Sequence, residues 1–377
     1  MSQVQKQAHT ENSVLLSFVV PFYNSALKSE RLLSTLRGIT ATDVQVVCVD
    51  DGSTDATLER LHEFATQASV PVAVISQSNR GPGGARNSGV SAALGEYVWF
   101  VDSDDDVNLE AVELLRRLRA EKFDFIDVNF SIGARNAMFL TGGEHEFSSG
   151  ERAGLVSHFG SLCTKLFSRR FIDSSHFKYP ELCYFEDNAL FFTLALNTRR
   201  FYKSESEFYE VHLDFESVTR GSLSPRFYDR LHTAVSGAAA AFPLVASEAE
   251  RVAVSETFRI LFLNNTCRQL FGRMRLKREL GVAVAAKDWE AVFRQLGDRI
   301  NPVPWARTII EAARVIRYYR SFAGEFGLSE RDASILEGES ARFQRQFRQS
   351  DLVSRMLPEQ RKHFDRIRRS AWAVVGD

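Results

Sequence analysis

Two acidic runs and one glycine-rich run hold the residues of this 377-residue chain whose types and spacing could do chemistry. Asp102-Ser103-Asp104 closes the apolar run YVWFV. In an extended segment residues i and i+2 face one side, so Asp102 and Asp104 would address a single point while Asp105 points elsewhere. Carboxylates crowded in this way repel unless a cation joins them, and hard oxygen ligands select Mg²⁺ or Mn²⁺ with positions left for phosphate oxygens. The competing reading is a helix start, because Asp also caps helices and complements the dipole of a helix expected near Asn108. The second run is Asp50-Asp51-Gly52-Ser53-Thr54-Asp55, where Gly52 allows a tight turn and Ser53 or Asp55 can cap the next helix. A cap needs one acid only, which leaves Asp50 and Asp51 to accept a uracil imide N–H or ribose hydroxyls.

The glycine-rich run is Asn79-Arg80-Gly81-Pro82-Gly83-Gly84-Ala85-Arg86-Asn87. Glycines ahead of a helix let the backbone approach a ligand closely, and a helix N-terminus favours anions. Arg86 in a first turn opposes the helix dipole, so it calls for a partner, either a phosphate or one of the acidic runs. The alternative is a permissive glycine loop with a surface arginine. A third acidic cluster, Glu186-Asp187, reads on its own as the first turn of a helix.

These residues need a scaffold that brings them together. Val14–Pro21, Val44–Asp50, Val72–Ser76, Tyr97–Val101 and Phe125–Phe130 are short apolar runs with the pattern of buried strands. Helical spacing lies between them, at Leu32, Leu33 and Leu36, at Leu58, Leu61 and Phe64, and at Leu109, Val112, Leu115 and Leu118. The alternation predicts an α/β fold with an open, mostly parallel sheet covered by helices, and ligands in such sheets bind beyond the carboxyl ends of the strands. Tyr23-Asn24, Asp50 to Asp55, Asn79 to Asn87 and Asp102 to Asp106 all follow strands, so all four clusters fall at that one edge. Beyond Phe130 the alternation stops. From Arg226 the sequence reads as helical, with Phe258, Leu261, Phe262 and Leu270 on one stripe and Ile309, Ala312, Ala313 and Ile316 on another. The expected division is a first domain over 1–224, with halves 14–130 and 131–224, and a mainly helical region over 225–377.

The length suggests two or three folding units. A net charge of -1 and 44% hydrophobic residues exclude a disordered or fibrous chain, and a uniformly basic nucleic-acid binder too. The balance is uneven, because Ala341 to Asp377 holds nine Lys/Arg against four Asp/Glu and leaves -6 on the rest. In that tail Phe364, Ile367 and Ala371 share a helical face beside Trp372, the pattern of a basic amphipathic helix on an anionic bilayer. A helix packed on the protein or a homo-oligomer interface in the C-terminal region fits the same pattern. Cys48, Cys163, Cys183 and Cys267 are scattered without a CxxC pair and read as reduced core residues of a cytoplasmic protein. Met1 to Ser13 lacks the apolar run of a secretory signal. Thr233 to Ala246, the longest quasi-apolar stretch, is too short to span a bilayer.

The segments VVPFYN, VDDGSTD, NRGPGGARNSG and FVDSDD, in that order, closely resemble the nucleotide-sugar half of family-2 inverting glycosyltransferases with the GT-A fold. TKLFSRRFIDSSHFKYPELCYFEDNALF resembles that family's acceptor-side segment, so the likeness runs from about Val14 to Ser222. It implies a nucleotide diphosphate sugar donor, a glycan or lipid-linked glycan acceptor and Mn²⁺ or Mg²⁺. It further implies that Pro21 and Tyr23 line the nucleoside pocket, that Asp51 accepts from the base with Asp50 beside it, and that Asn79, Gly81 and Ser103 belong to the donor pocket. Arg86 would face the uracil or the pyrophosphate, Asp104 the metal, and Asp102 the ribose or that metal. Asp187 matches the catalytic base, whose pKa Glu186 would raise by like-charge repulsion. Many relatives carry an aromatic strand, an arginine and a Ser/Thr pattern after the base, whereas this chain offers His212 and Arg220, with His212 either near the leaving diphosphate or structural. Two alternatives are a sugar nucleotidyltransferase and an idle nucleotide-sugar or glycan-binding module. The first wants a basic Gly-rich loop directly after the first strand, where Phe22-Tyr23-Asn24-Ser25 stands; Asp102, Asp104 and Asp187 disfavour the second.

Overall fold

The computed structural model describes residues 14–131, 141–212 and 229–258. Its contacts divide the chain into two units: one comprises 1–146, 160–183 and 199–214, the other 147–159, 184–198 and 215–377. The boundary expected near Ser224 and Pro225, the basic tail, Cys267, Arg220 and the helical stripes beyond Phe258 lie outside the described residues.

The first unit is built on one sheet. Strands β1 (Leu16–Phe22), β2 (Val44–Asp50), β3 (Val72–Ser76) and β4 (Tyr97–Phe100) run parallel in the order β3-β2-β1-β4. All seven residues of β2 are buried, as a continuous apolar run covered on both faces requires. Helices α1 (Glu30–Arg37), α2 (Thr57–Gln67) and α3 (Gly81–Ala92) join consecutive strands. Leu32, Leu33 and Leu36 of α1 and Leu61 and Phe64 of α2 enter the same core as Phe18, Val46 and Trp99. With four parallel strands in register, the residues following β1 to β4 share one edge, as the sequence pattern predicts.

The second half of the sheet departs from simple alternation. A short β5 (Asp106–Val107) and helix α4 (Glu110–Leu118) precede β6 (Phe125–Ser131) and β7 (Gly143–Glu146). The expected fifth parallel strand, β6, does not lie beside β4. Between them sits β8 (Lys165–Ser168), antiparallel to both, followed by α6 (Arg169–Ser174). All four residues of β8 are buried, and a four-residue strand with charged Lys165 at its head gives little periodicity to read. β9 (Arg200–Glu210) runs parallel to β6 and pairs with β5 and β7 on its other side. Trp99 Nε1 donates to the Cys163 carbonyl at 2.7 Å, fastening β4 to the approach of β8.

The described part of the second unit is helical, with α5 (Ala153–His158), α7 (Asn188–Asn197), α8 (Asp229–Ala241) and α9 (Glu248–Thr257). α7 and α8 pack backbone to backbone, since a Cβ on Gly237 would come within 2.6 Å of the Ala189 carbonyl oxygen. Glu250 is fully buried and accepts from Gly150 N, Arg152 N and Ala246 N at 2.8–3.1 Å, so its charge is met by backbone dipoles rather than water. Most of the apolar stretch Thr233 to Ala246 lies in α8. No helix among the described residues is long and apolar enough to cross a membrane.

Candidate active site

The turns after β1 and β2 are joined by side chains. Asn24, at a left-handed φ of 48°, donates its N–H to Ser53 Oγ at 3.0 Å and accepts from Thr54 N at 2.8 Å. Asp55 Oδ1 receives the Thr57 N–H at 3.0 Å, so Asp55 rather than Ser53 serves the first turn of α2. Gly52 has φ 76°, and a Cβ there would stand 3.0 Å from Asn79 N; glycine lets the turns after β2 and β3 touch.

Asp50 and Asp51 are both 2% exposed. Asp51 is the more firmly held, because its Oδ1 accepts from Gln77 Nε2 at 2.7 Å and Arg80 N at 2.8 Å. Its Oδ2 takes no hydrogen bond among the described residues. The Asp50 carboxylate accepts long bonds of 3.4 Å from Ser53 N and Ser76 Oγ. Tyr23 is 52% exposed at the mouth of this edge, and Pro21 lies within β1 opposite Val49. Asn79 is exposed and accepts from Gly81 N at 3.3 Å.

The acidic run after β4 is a turn, not an extended segment. β4 stops at Phe100, and the Asp105 N–H donates to the Asp102 carbonyl at 3.1 Å. Asp and Ser draw the backbone into turns by local hydrogen bonding, which outweighs strand continuation here. The i, i+2 alignment therefore does not apply. Asp102 and Asp104 are both half-buried, while Asp105 is buried and directed at β9. Tyr209 Oη accepts from Asp102 N at 3.1 Å and donates to Asp105 Oδ2 at 2.8 Å, and His212 N donates to Asp105 Oδ1 at 2.9 Å. Burial first, and then the Asp102 charge, push the Asp105 carboxyl up to about 7, against the pull of these hydrogen bonds. Ser103 Oγ lies 3.2 Å from Ser25 Oγ.

Arg86 falls in the second turn of α3, because the helix begins at Gly81. The partner that its placement called for is Asp102, at 2.6 Å from NH2 to Oδ1. The guanidinium also lies over the Tyr179 ring, 5.3 Å from its centroid. His212 reaches the acidic turn through its backbone, while its ring Nε2 is 3.5 Å from Glu210 Oε1.

Glu186 and Asp187 belong to the second unit. Asp187 is the N-cap residue of α7 and accepts from Asn188 N at 2.9 Å, so the helix-start reading describes its local geometry. Glu186 is buried. The first unit thus brings Pro21, Tyr23, Asp50, Asp51, Asn79, Gly81, Arg86, Asp102, Ser103, Asp104 and His212 to one edge. Tyr179, Glu181 and Tyr209 are the side chains that sequence reasoning missed there, and no local pattern marks them, because each acts across more than ninety residues.

Residues 17–176 match the family model described as Glycosyl transferase family 2. That match covers less than half of the chain. Over 118 residues, 31% of this chain and 33% of the relative, it is 33% identical to the cholesterol galactosyltransferase of Borreliella burgdorferi. Over 99 residues it is 38% identical to the poly(ribitol-phosphate) beta-N-acetylglucosaminyltransferase TarS of Staphylococcus aureus, covering 26% of this chain and 17% of TarS. These matches span about a third or less of each relative. The crystal structure of S. aureus TarS 1–349 with UDP-GlcNAc superposes with a TM-score of 0.62 at 22% identity, over 88% of this chain and 92% of that one. The chain therefore shares the GT-A fold, with the acidic turn and the glycine-rich helix start at the strand ends.

Proposed function

We propose that the protein is an inverting glycosyltransferase that moves a sugar from a nucleoside diphosphate sugar, UDP-linked, to a hydroxyl of a glycan or lipid-linked glycan of the cell envelope. The observation that carries this reading is that Arg86, Asp102 and Asp104 follow strands at the same sheet edge as the buried Asp51, the edge where parallel sheets bind nucleotides. Asp51 Oδ1 is fixed by Gln77 and Arg80, which leaves Oδ2 for an imide N–H of the base. The names of relatives point the same way, since TarS is called a β-N-acetylglucosaminyltransferase acting on a poly(ribitol-phosphate).

The residues present fit a divalent cation. Asp102 and Asp104 supply hard carboxylate oxygens, and burial first, then their charges, push the neighbouring Asp105 carboxyl up. Among the described residues no group of three or more His, Cys, Asp or Glu could hold a metal, which suits a site completed by diphosphate oxygens. Bound there, Mn²⁺ or Mg²⁺ would neutralise charge on the departing diphosphate. Arg86, released from Asp102, donates to the same oxygens. Asp187 takes the proton of the acceptor hydroxyl as that oxygen attacks the anomeric carbon from the face opposite the diphosphate. Intact carboxylates at 102, 104 and 187 speak against an idle binding module. Association with an anionic membrane surface through the basic tail belongs to the same proposal; vesicle co-sedimentation unchanged by removal of 358–377 would count against it.

The test is a screen of nucleotide sugars for Mn²⁺-dependent hydrolysis, followed by two variants with the donor so found. Asp104→Ala should lose metal-dependent UDP binding by calorimetry. Asp187→Asn should keep that binding and lose transfer by 100-fold or more, as expected for a general base. Transfer retained by Asp187→Asn removes it as the base, and unchanged binding by Asp104→Ala removes it from the donor site.

A further inference from the structure

The stretch Tyr179–Leu182 has no regular secondary structure, yet it is bound to the first turns of α3 at three levels. Asn87 makes a reciprocal pair with Tyr179: its Nδ2 donates to the Tyr179 carbonyl and its Oδ1 accepts from Tyr179 N, both at 2.9 Å. The Leu182 N–H donates to the Arg80 carbonyl at 2.8 Å. The Arg80 guanidinium grips the Glu181 carboxylate in a fork, with Nε to Oε2 at 2.9 Å and NH2 to Oε1 at 2.5 Å. Such bidentate pairs fix orientation as well as distance.

Close packing and strain show that the contact is over-determined. Gly81 has φ 76°, and a Cβ there would meet Leu182 N at 3.3 Å. Leu182 holds φ 56° although its side chain is exposed, a conformation that a branched residue keeps only where surrounding bonds hold it. The Tyr179 ring is 2% exposed, stands edge-on to Phe100 at 5.5 Å, and lies under Arg86. Arg80 also sends its backbone N–H to Asp51. One residue therefore touches the candidate base-binding carboxylate through its main chain and the strap through its side chain.

We infer that Arg80, Asn87 and Glu181 are positioning residues that lock the strap Tyr179–Leu182 to the donor-binding turn and so fix where the chain departs toward Glu186-Asp187. The strap ends one residue before the first unit does, at Cys183, and the candidate base follows in the chain. The inference rests on the transferase reading above. Its consequence is that the strap is registered to the donor loop, so that the chain leaves the first unit from a fixed point. Misplacement of a reacting group by about 1 Å can cost about 100-fold in rate.

Glu181→Arg and Arg80→Glu should each lower kcat for transfer by about 10- to 100-fold, and Glu181→Arg should keep UDP affinity in Mn²⁺ and donor KM within about twofold of the parent. The double variant, which restores the pair with its charges exchanged, should recover most of kcat. Glu181→Gln, which keeps the shape and one acceptor oxygen, should lie between, and thermal midpoints close to the parent's would separate positioning from unfolding. Unchanged kcat in both single variants overturns the inference. So does loss of UDP binding in proportion to kcat, which would make the fork part of the donor pocket. Failure of the base assignment reads out separately, as transfer retained by Asp187→Asn with the fork intact.

Discussion

Two carboxylate clusters in the same sheet are handled in opposite ways. Asp127 of β6 is surrounded by cations: Lys165 Nζ reaches Oδ1 at 3.0 Å, Lys203 Nζ reaches Oδ2 at 2.8 Å, and Thr164 Oγ1 adds a hydrogen bond at 3.0 Å. Burial alone would raise its carboxyl, but the two lysines outweigh burial and hold it below the usual carboxylate range. At the acidic turn, by contrast, Asp102, Asp104 and Asp105 crowd together, and the buried member is pushed up to about 7. Asp105 has two donors arranged around it, but Tyr209 Oη and the His212 N–H are dipoles and its charged neighbours, Asp102 and Asp104, are carboxylates. The fold thus neutralises the largely buried Asp127 with two lysines, while Asp105 has no cation partner among the described residues.

The largest effect that would break this contrast lies on the compensated side. Asp127→Ala leaves Lys165 and Lys203 buried around an empty place, and removing one partner of a buried ion pair typically costs about 3–5 kcal/mol. Urea unfolding should show a loss of that size, and a loss below about 1 kcal/mol would mean that the network is not a structural brace. The next effect concerns pH. A carboxyl raised on folding contributes stability that is fully present below about pH 4, drains away as pH rises, and is gone above about pH 7. In chelator, Asp105→Asn should therefore gain on the parent between pH 4 and pH 8. The relative gain should be about 2–4 kcal/mol, at about 1.4 kcal/mol per tenfold change in proton affinity. Parallel stability curves for the two proteins across that range would deny Asp105 this role.

How much of the contrast was legible in the sequence follows from the range of each interaction. The acidic turn was visible because Asp102, Ser103, Asp104 and Asp105 are consecutive and follow an apolar strand, and Asp55 and Gly52 were visible for the same reason. That Asp102 meets Arg86 was half visible, as an arginine in need of a partner, though its helix begins early enough to put it in the second turn. What could not be read is the third dimension of the turn. Tyr209 sits in β9, more than one hundred residues from Asp105, and nothing in the order of strands announces that β8 intervenes antiparallel between β4 and β6. Asp127, Lys165 and Lys203 come from three strands whose neighbourhood depends on that insertion. Their single charges in apolar runs look like surface residues, and only the pairing order buries them together.

The smallest expected effect on stability is the most informative about function. Asp102 is 39% exposed in its side chain and pairs with Arg86, which is 12% exposed. Exposed or partly exposed ion pairs contribute about 0–1 kcal/mol, because solvent screens the attraction. After Asp102→Asn the amide oxygen can still accept from Arg86, whose guanidinium also keeps the Tyr179 ring. The change also removes one of the charges that crowd Asp105, which offsets part of whatever is lost. Unfolding free energy in chelator should therefore move by no more than about 1 kcal/mol. Mn²⁺-dependent UDP binding by the same variant should fall at least tenfold, as the proposed donor site requires. An Asp102→Asn protein destabilised by 3 kcal/mol or more with its binding intact would place Asp102 beside Asp127 as a brace, and would leave Asp104 alone to carry the metal-binding reading of the turn.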